Sequence, residues 1–449
     1  MTALHGPWGA VFVVWRAERR GDVAGTPNMS EDDLAALRDW RVTMPSKGRT
    51  SASIFAEMFQ RKSGDADWSG GRVFSLIYPT GRSDVDGVLV EANNAYLFEN
   101  ALNPLRFPSL GIMQFELVGM VSSLLNAPTG SGAGFSAGGT ESILLSVLVS
   151  RERAKAERGI TRGNIVFPRS AHPAFAKAAF ILGLDPRPTA LAEGYRADVG
   201  AVRDAMDENT VLVVGSAYGF PHGVVDPIEA LSELARSRGV PFHSDACIGG
   251  FVLPFMERLG VDVPAFDFRL EGVTQMSCDV HKYGYTTKGA SVVVYRESAW
   301  MDHQMFGYDQ WPAGFYWTGS VAGARAASPV AAAWAVMNYL GEDGYVELMR
   351  GLLATTSRLR EGIESMDNLE VLGEPIGPLL SFTSRAGDIS AIGDVMDQRG
   401  WHLGRVTDPA GLHMMISPLH EAIVESFLAD LSEAVANHGP TSDTPTRYN

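Results

Sequence analysis

The chain has 449 residues, a mass of 48.4 kDa and a formal charge of −15. The length fits roughly two or three domains of about 150 residues, and 45% apolar with 20% charged residues excludes a largely disordered chain. The acidic balance lacks the basic footprint that neutralises nucleic-acid phosphates, and the two cysteines, Cys247 and Cys278, exclude a disulfide framework and favour a reducing compartment.

Residues 1–28 read as a loose arm, or as the product of a start placed upstream of Met29. The apolar run 10–15 is far shorter than the ~20 residues of a membrane span. Arg16, Glu18, Arg19 and Arg20 follow it directly, which also argues against a signal segment. Residues 30–42 predict a short helix capped by Ser30, with Glu31, Asp32 and Asp33 favourable at its N-terminus. Glycine-rich turns follow near Gly70, Gly81 and Gly87. From about residue 130 short apolar runs alternate with helical stretches. The runs are 164–168, 210–217, 240–246, 273–279 and 291–296, and several are continuously apolar, as in strands buried on both faces. Helices are predicted at 139–157, 172–182, 198–208 and 226–238. This alternation predicts an α/β fold with a mainly parallel sheet. A long helix at 328–341 leads to strands near 369–373, 378–384 and 413–417, mixed with helices at 345–365, 389–398 and 420–437. The expected division is an N-terminal segment 1–100, a large domain 101–340, a smaller C-terminal α/β domain 341–440 and a loose tail 441–449.

Four stretches carry chemistry. GSGAGFSAGGTES (130–142) is a glycine-rich turn entering a helix, where exposed backbone N–H groups can hold an anion. HSDAC (243–247) places Asp245 at the carboxyl end of a strand, where open sheets bind ligands. CDVHKYGYTTKG (278–289) places Lys282 after another buried strand, and a desolvated lysine has a lowered pKa and serves as a nucleophilic amine. FPRSAHPAFAKAA (167–179) puts His172 at the same sheet edge. Each alone has a bland account: a flexible turn, a capping Asp, a lysine that snorkels outward, a satisfied histidine. Together they are the parts that pyridoxal 5′-phosphate needs: an anion cradle, an amine for a Schiff base, a carboxylate for the pyridine nitrogen and a flat group over the ring.

The segments SAGGTES, AHPAFAKAA, VPFHSDACIGGFVLPF and MSCDVHKYGYTTKGAS resemble the sphingosine-1-phosphate lyase family, part of the wider group of PLP-dependent amino-acid decarboxylases. GRVFSLIY (71–78), NALNPLRFPSL (100–110), GSAYGFPHGVVDPI (215–228) and the stretch 321–348 extend the likeness over roughly residues 44–420. The resemblance implies the fold type I of PLP enzymes, like aspartate aminotransferase. It also implies a cytoplasmic homodimer with its site at the interface. By the same resemblance Lys282 carries the cofactor, Asp245 pairs with the pyridine nitrogen and His172 stacks on the ring. Gly138, Gly139, Thr140 and His281 bind the phosphate. His243 lies under the cofactor and supports Asp245, and Ser216 reaches the cofactor hydroxyl or the substrate. Tyr78, Asn103, Lys288 and Arg325 belong to the substrate side.

This sequence also departs from the family pattern. Asn103 stands where the family has a histidine, the aromatic hydroxyl that the family has near Phe220 is lost, and Ala324 replaces a serine beside Arg325. No counterpart of the membrane anchor of eukaryotic members is expected. The cofactor apparatus is intact and the substrate apparatus is changed. The leading expectation is a carbon–carbon lyase acting on a small-molecule amine, a 2-amino-3-hydroxy compound that by resemblance is a phosphorylated long-chain base. An amino-acid decarboxylase on the same scaffold is the alternative. A PLP-binding scaffold without activity is a third reading, disfavoured by the intact Lys, Asp and His.

Overall fold

A computed structural model describes residues 43–437, apart from residues 104 and 386. The arm 1–28, the helix expected at 30–42 and the tail lie outside the described residues.

Seven strands form the main sheet: β1 (Gly132–Ser136), β2 (Asn164–Pro168), β3 (Asp185–Thr189), β4 (Thr210–Ser216), β5 (Phe242–Asp245), β6 (Gln275–Cys278) and β7 (Ser291–Tyr295), in the order β1-β7-β6-β5-β4-β2-β3. Strands β2 to β6 pair in parallel with their neighbours, and β7 runs antiparallel to both β1 and β6. Every residue of β2, β4, β5, β6 and β7 is buried, because helices cover both faces. The five expected apolar runs are all present. Two strands are additional. β1 lies inside the glycine-rich stretch, and β3, with Pro186 and Pro188, is an edge strand that among the described residues pairs with β2 alone.

Since β7 reverses direction between β1 and β6, the carboxyl ends of β1, β4, β5 and β6 open on one edge. The register sets Ser216, Asp245 and Ser277 side by side there. Helix Gly139–Arg158 leaves the same edge after β1.

A second, antiparallel sheet joins β10 (Leu369–Val371), β11 (Leu379–Ser384), β12 (Gly404–Thr407) and β13 (Ala410–Met415) in the order β10-β11-β13-β12. Helices Ile389–Gln398 and Val424–Asn437 pack with it. Between the sheets, β8 (Phe306–Tyr308) and β9 (Tyr316–Thr318) form a hairpin. The two helices expected at 328–341 and 345–365 are one element, Ser328–Glu364, broken at Gly341 by a φ of 58°. Only glycine adopts that φ with ψ near 180° without strain.

The segment before Tyr78 is pinned to the C-terminal sheet. Phe74 N donates to His402 O at 3.0 Å, and Met415 N donates to Phe74 O at 2.7 Å. The Phe74 ring stacks on His420 at 4.2 Å and packs against Trp401 and Phe427. Trp401 is fully buried, donates to Asp430 Oδ2 at 2.7 Å and lies under the Arg72 guanidinium. Removing so large a buried ring leaves a cavity and costs about 3–5 kcal/mol. Trp401→Ala should lower the midpoint of urea unfolding accordingly with an unchanged denaturant slope; a shift under about 1 kcal/mol would show that Trp401 does not anchor this segment.

Candidate active site

The cradle begins where β1 ends. Gly138 has a φ of 147°, and Gly139 opens the 20-residue helix Gly139–Arg158. Its free N–H groups face the strand-end edge and favour an anion. Glu141 tightens the turn, accepting from Ala137 N at 2.7 Å and from Val321 N at 2.8 Å. A Cβ on Gly139 would lie 2.7 and 2.8 Å from the two Asp279 carboxylate oxygens and 2.9 Å from Cys247 Sγ. The close approach of helix, Asp279 and Cys247 therefore requires glycine.

Lys282 stands four residues past β6, and its Nζ lies 2.9 Å from Asp279 Oδ2. Burial alone would lower the lysine's proton affinity, as the sequence reading expected. The Asp279 carboxylate reverses the sign, and the pKa is raised well above that of a free lysine. Asp279 is correspondingly held below the usual carboxylate range, its burial cost outweighed by Lys282 and His281. The lowered amine is Lys288: burial, reinforced by the charge of Lys282, pushes it down to about 8. Its Nζ donates to His281 O at 3.2 Å and sits 4.6 Å over the Tyr78 ring.

Asp245 Oδ1 accepts from Cys247 N at 3.0 Å and from Ser277 Oγ at 3.0 Å. His243 supports it indirectly, since its Nε2 meets Ser277 Oγ at 2.9 Å. His172 Nδ1 accepts from Ala174 N at 3.2 Å, and burial lowers its pKa, so it presents a neutral ring. Ser216 N donates to Asp226 Oδ2 at 2.7 Å, which fixes the end of β4 beside Asp245.

These elements enclose a cavity of about 620 Å³. Of the residues read from the sequence, Gly138, Gly139, Thr140, His172, His281 and Lys282 line it. Asp245, His243 and Ser216 form the strand ends behind it. Tyr78 and Lys288 lie beside Lys282, close enough for Tyr78 to act on its charge. The other two are not brought into this cluster. Asn103 is exposed and accepts from Leu105 N, while Arg325 donates to Ala101 O at 3.1 Å and Phe135 O at 3.4 Å. Sequence reasoning missed Asp279, Cys247 and Ser277 as site residues. The signal for Asp279 was its place three residues before Lys282.

The donor set fits pyridoxal phosphate. An anion cradle, an amine and a neutral aromatic ring line one cavity, a strand-end carboxylate with one occupied oxygen stands behind it, and the buried His281 Nδ1 has no hydrogen-bond partner among the described residues. The amines should also be distinguishable. An amine-acylating reagent should label Lys288 with half-maximal rate near pH 8 and leave Lys282 of the cofactor-free protein protected at that pH. Peptide mass spectrometry across a pH series checks this, and equal labelling of both would refute the ion pair.

Comparison with known proteins gives the same assignment. The model of the pyridoxal-dependent decarboxylase conserved domain matches residues 62–385. A sphingosine-1-phosphate lyase of Arabidopsis thaliana is 39% identical over 88% of this chain and 75% of its own length. The rat sphingosine-1-phosphate lyase 1 is 36% identical over 89% of this chain and 70% of its own. The solved structure of a Burkholderia pseudomallei sphingosine-1-phosphate lyase superposes with a TM-score of 0.85 at 38% identity, covering 88% of this chain and 92% of that one. A Lactobacillus brevis glutamate decarboxylase, 18% identical with a TM-score of 0.78, shares the fold. The chain belongs to the pyridoxal-dependent decarboxylase family, as a PLP enzyme on the branch that contains the sphingosine-1-phosphate lyases.

Proposed function

We propose that the protein is a PLP-dependent carbon–carbon lyase that cleaves the C2–C3 bond of a phosphorylated long-chain base such as sphingosine 1-phosphate. The products are an aldehyde and a small amine such as phosphoethanolamine. The observation that carries this reading is identity of more than a third, over nearly nine-tenths of the chain, to plant and rat proteins of that activity. The bound cofactor supplies an electron sink for the pair left on C2 when the bond breaks.

The chain's residues do the rest. Lys282 would be the amine that carries the cofactor. Gly138, Gly139, Thr140 and His281 hold its phosphate at the helix N-terminus. His172 would stack on the cofactor ring, and Asp245 would use its remaining oxygen to keep the ring nitrogen protonated. Tyr78 and Lys288 stand on the substrate side. With its pKa pushed down to about 8, Lys288 can exchange a proton near neutral pH. The 3-hydroxyl gives up its proton as C3 becomes the aldehyde carbon, and C2 gains a proton as the amine forms. The groups that orient the substrate choose which bond at C2 breaks.

The second reading, decarboxylation, has a specific observation in its favour: a probable L-tyrosine/L-aspartate decarboxylase of Methanothermobacter thermautotrophicus is 33% identical over 75% of this chain. It differs only in which bond at C2 breaks.

We further propose a cytoplasmic homodimer with its sites at the interface, and the division into segments 1–100, 101–340 and 341–440. Among the described residues no helix is long and apolar enough to cross a membrane. The region around Ala101 and Arg325, whose backbones are joined at 2.9 Å, lies between segments that expose Phe98, Leu105, Phe115, Phe315 and Trp317. Leaving so much apolar surface in water is unfavourable, and a second subunit would cover it. Asn103 and Arg325, outside the cavity of their own chain, would then serve the partner's site.

Two measurements test these readings. With sphingosine 1-phosphate the enzyme should release aldehyde and phosphoethanolamine without carbon dioxide, and Lys282→Ala should lose both product and the visible absorption of bound cofactor. Carbon dioxide from an amino acid, with no aldehyde, would overturn the lyase reading. Light scattering should give about twice 48.4 kDa. Inactive Lys282→Ala and Arg325→Ala proteins should regain part of the activity after subunit exchange; a monomeric mass with full activity would exclude the shared site.

A further inference from the structure

Behind Asp245 lies a row of fully buried polar side chains that the reaction described above does not use. Ser277 Oγ lies 3.0 Å from Asp245 Oδ1 and 2.9 Å from His243 Nε2. His243 Nδ1 lies 2.6 Å from Ser146 Oγ. Ser146 bonds the Gln275 side-chain amide, whose far end meets Ser150 Oγ at 2.6 Å. All of them are at most 1% exposed, so none is hydrated by bulk water.

The protons in this row can be counted. A carboxylate only accepts, so the Ser277 hydroxyl proton is committed to Asp245. Ser277 must then accept from His243, which places a proton on Nε2. If Ser146 donates to the Gln275 carbonyl oxygen, its own oxygen must accept from His243 Nδ1, and the ring becomes a buried cation. Burial opposes that and pushes the histidine down to about 4. The row closes with a neutral ring when the Gln275 amide is reversed, since amide oxygen and nitrogen are interchangeable in shape. Gln275 then donates to Ser146, Ser146 donates to His243 Nδ1, and the Ser150 hydroxyl turns from the Ser146 carbonyl, its acceptor at 3.0 Å, to the Gln275 oxygen. Every donor points toward Asp245.

We propose that Gln275, Ser146, His243 and Ser277 form a one-way hydrogen-bond relay that holds Asp245 by Oδ1 and leaves Oδ2 for the ring nitrogen. His243 and Ser277 are therefore positioning residues, acting on the cofactor through Asp245. Both Asp245 bonds fall on the same oxygen, Cys247 N supplying the other. Each donor in the row polarises the next, so the last one is strengthened by those behind it. The helix residues Ser146 and Ser150 lie one turn apart on Gly139–Arg158, so the cradle helix also anchors the relay. The inference rests on the cofactor assignment and is independent of which substrate is cleaved.

Four full-length variants test it, with cofactor affinity measured by titrating the cofactor-free protein with pyridoxal phosphate and following intrinsic fluorescence. Ser277→Ala removes one oxygen from a packed site, and His243→Leu removes both ring nitrogens. His243→Gln keeps an amide N–H where Nε2 stands, and Gln275→Leu cuts the row behind Ser146. A hydrogen bond to a charged group is worth enough that Ser277→Ala and His243→Leu should each weaken cofactor binding about tenfold or more. Both should also lower kcat similarly with KM within about twofold, because substrate contacts are untouched. His243→Gln should recover most of the affinity, and Gln275→Leu should fall between. Equal affinity for the Leu and Gln variants of His243 would overturn the relay, leaving a space-filling role. If His243→Leu fails to fold by circular dichroism, unchanged affinity in Ser277→Ala would overturn it just as well. Because binding is measured without substrate, a failed lyase assay leaves this result interpretable.

Discussion

An ammonium group buried at the end of an apolar strand has to find a carboxylate, and the rest of this site is arranged around how Lys282 does so. Asp279, three residues earlier in the same turn, supplies the charge at 2.9 Å. An unpaired buried cation would simply lose its proton. The pair decides its neighbours' chemistry as well. Asp279 fills the space beside the cradle helix, which restricts position 139 to glycine. The charge kept on Lys282 makes a second ammonium nearby unfavourable and contributes to the lowered pKa of Lys288. Two lysines six residues apart thus shift in opposite directions, Lys288 chiefly through burial and Lys282 through its pairing with Asp279.

The site histidines are kept uncharged by burial. His172, His243 and His281 all have lowered pKa values, with desolvation the leading cause in each. A neutral His172 can lie against a protonated ring without repelling it. A neutral His243 can donate from one nitrogen and accept at the other, which a polar row ending at a carboxylate requires. Positive charge at the site is therefore concentrated in the two lysines and the helix N-terminus, where a phosphate and a substrate anion are favoured. The overall acidity of the chain says nothing of this local balance.

The two sheets are mechanically joined where the substrate is expected. Residues 72–74 bond to His402 and Met415 of the C-terminal region, and four residues later the same segment delivers Tyr78 next to Lys288. Tyr218 extends the tie, its hydroxyl accepting from Leu379 N at 3.2 Å. The Arg169–Asp408 ion pair adds a contact between the loop after β2 and the β12–β13 turn. Substrate-side groups are thus carried by segments whose packing depends on the C-terminal sheet.

Much of this was legible from residue patterns. Continuous apolar runs at β2, β4 and β7 need no tertiary information, because strands covered on both faces read as near-continuous apolar segments, whereas β5 and β6 also bury His243, Asp245, Gln275 and Ser277. Residue types at strand ends were equally readable: a Gly-Gly-Thr turn, an Asp and a Lys after buried strands have few other uses together. β1 escaped because three of its first four positions are Gly or Ala, which carry little strand signal, and β3 because two prolines disguise an edge strand. The helix register of Ile389–Gln398 was readable because its cap and its apolar period agree. Pairings across distant segments were not readable. Nothing local in Ser146, Gln275 or Ser277 marks them as partners of His243, because those contacts join residues more than thirty apart along the chain. The same limit explains the sign error at Lys282. Burial of the lysine follows from the apolar strand before it, whereas its charge state depends on which side chain the turn brings to its amine, and only the folded backbone decides that.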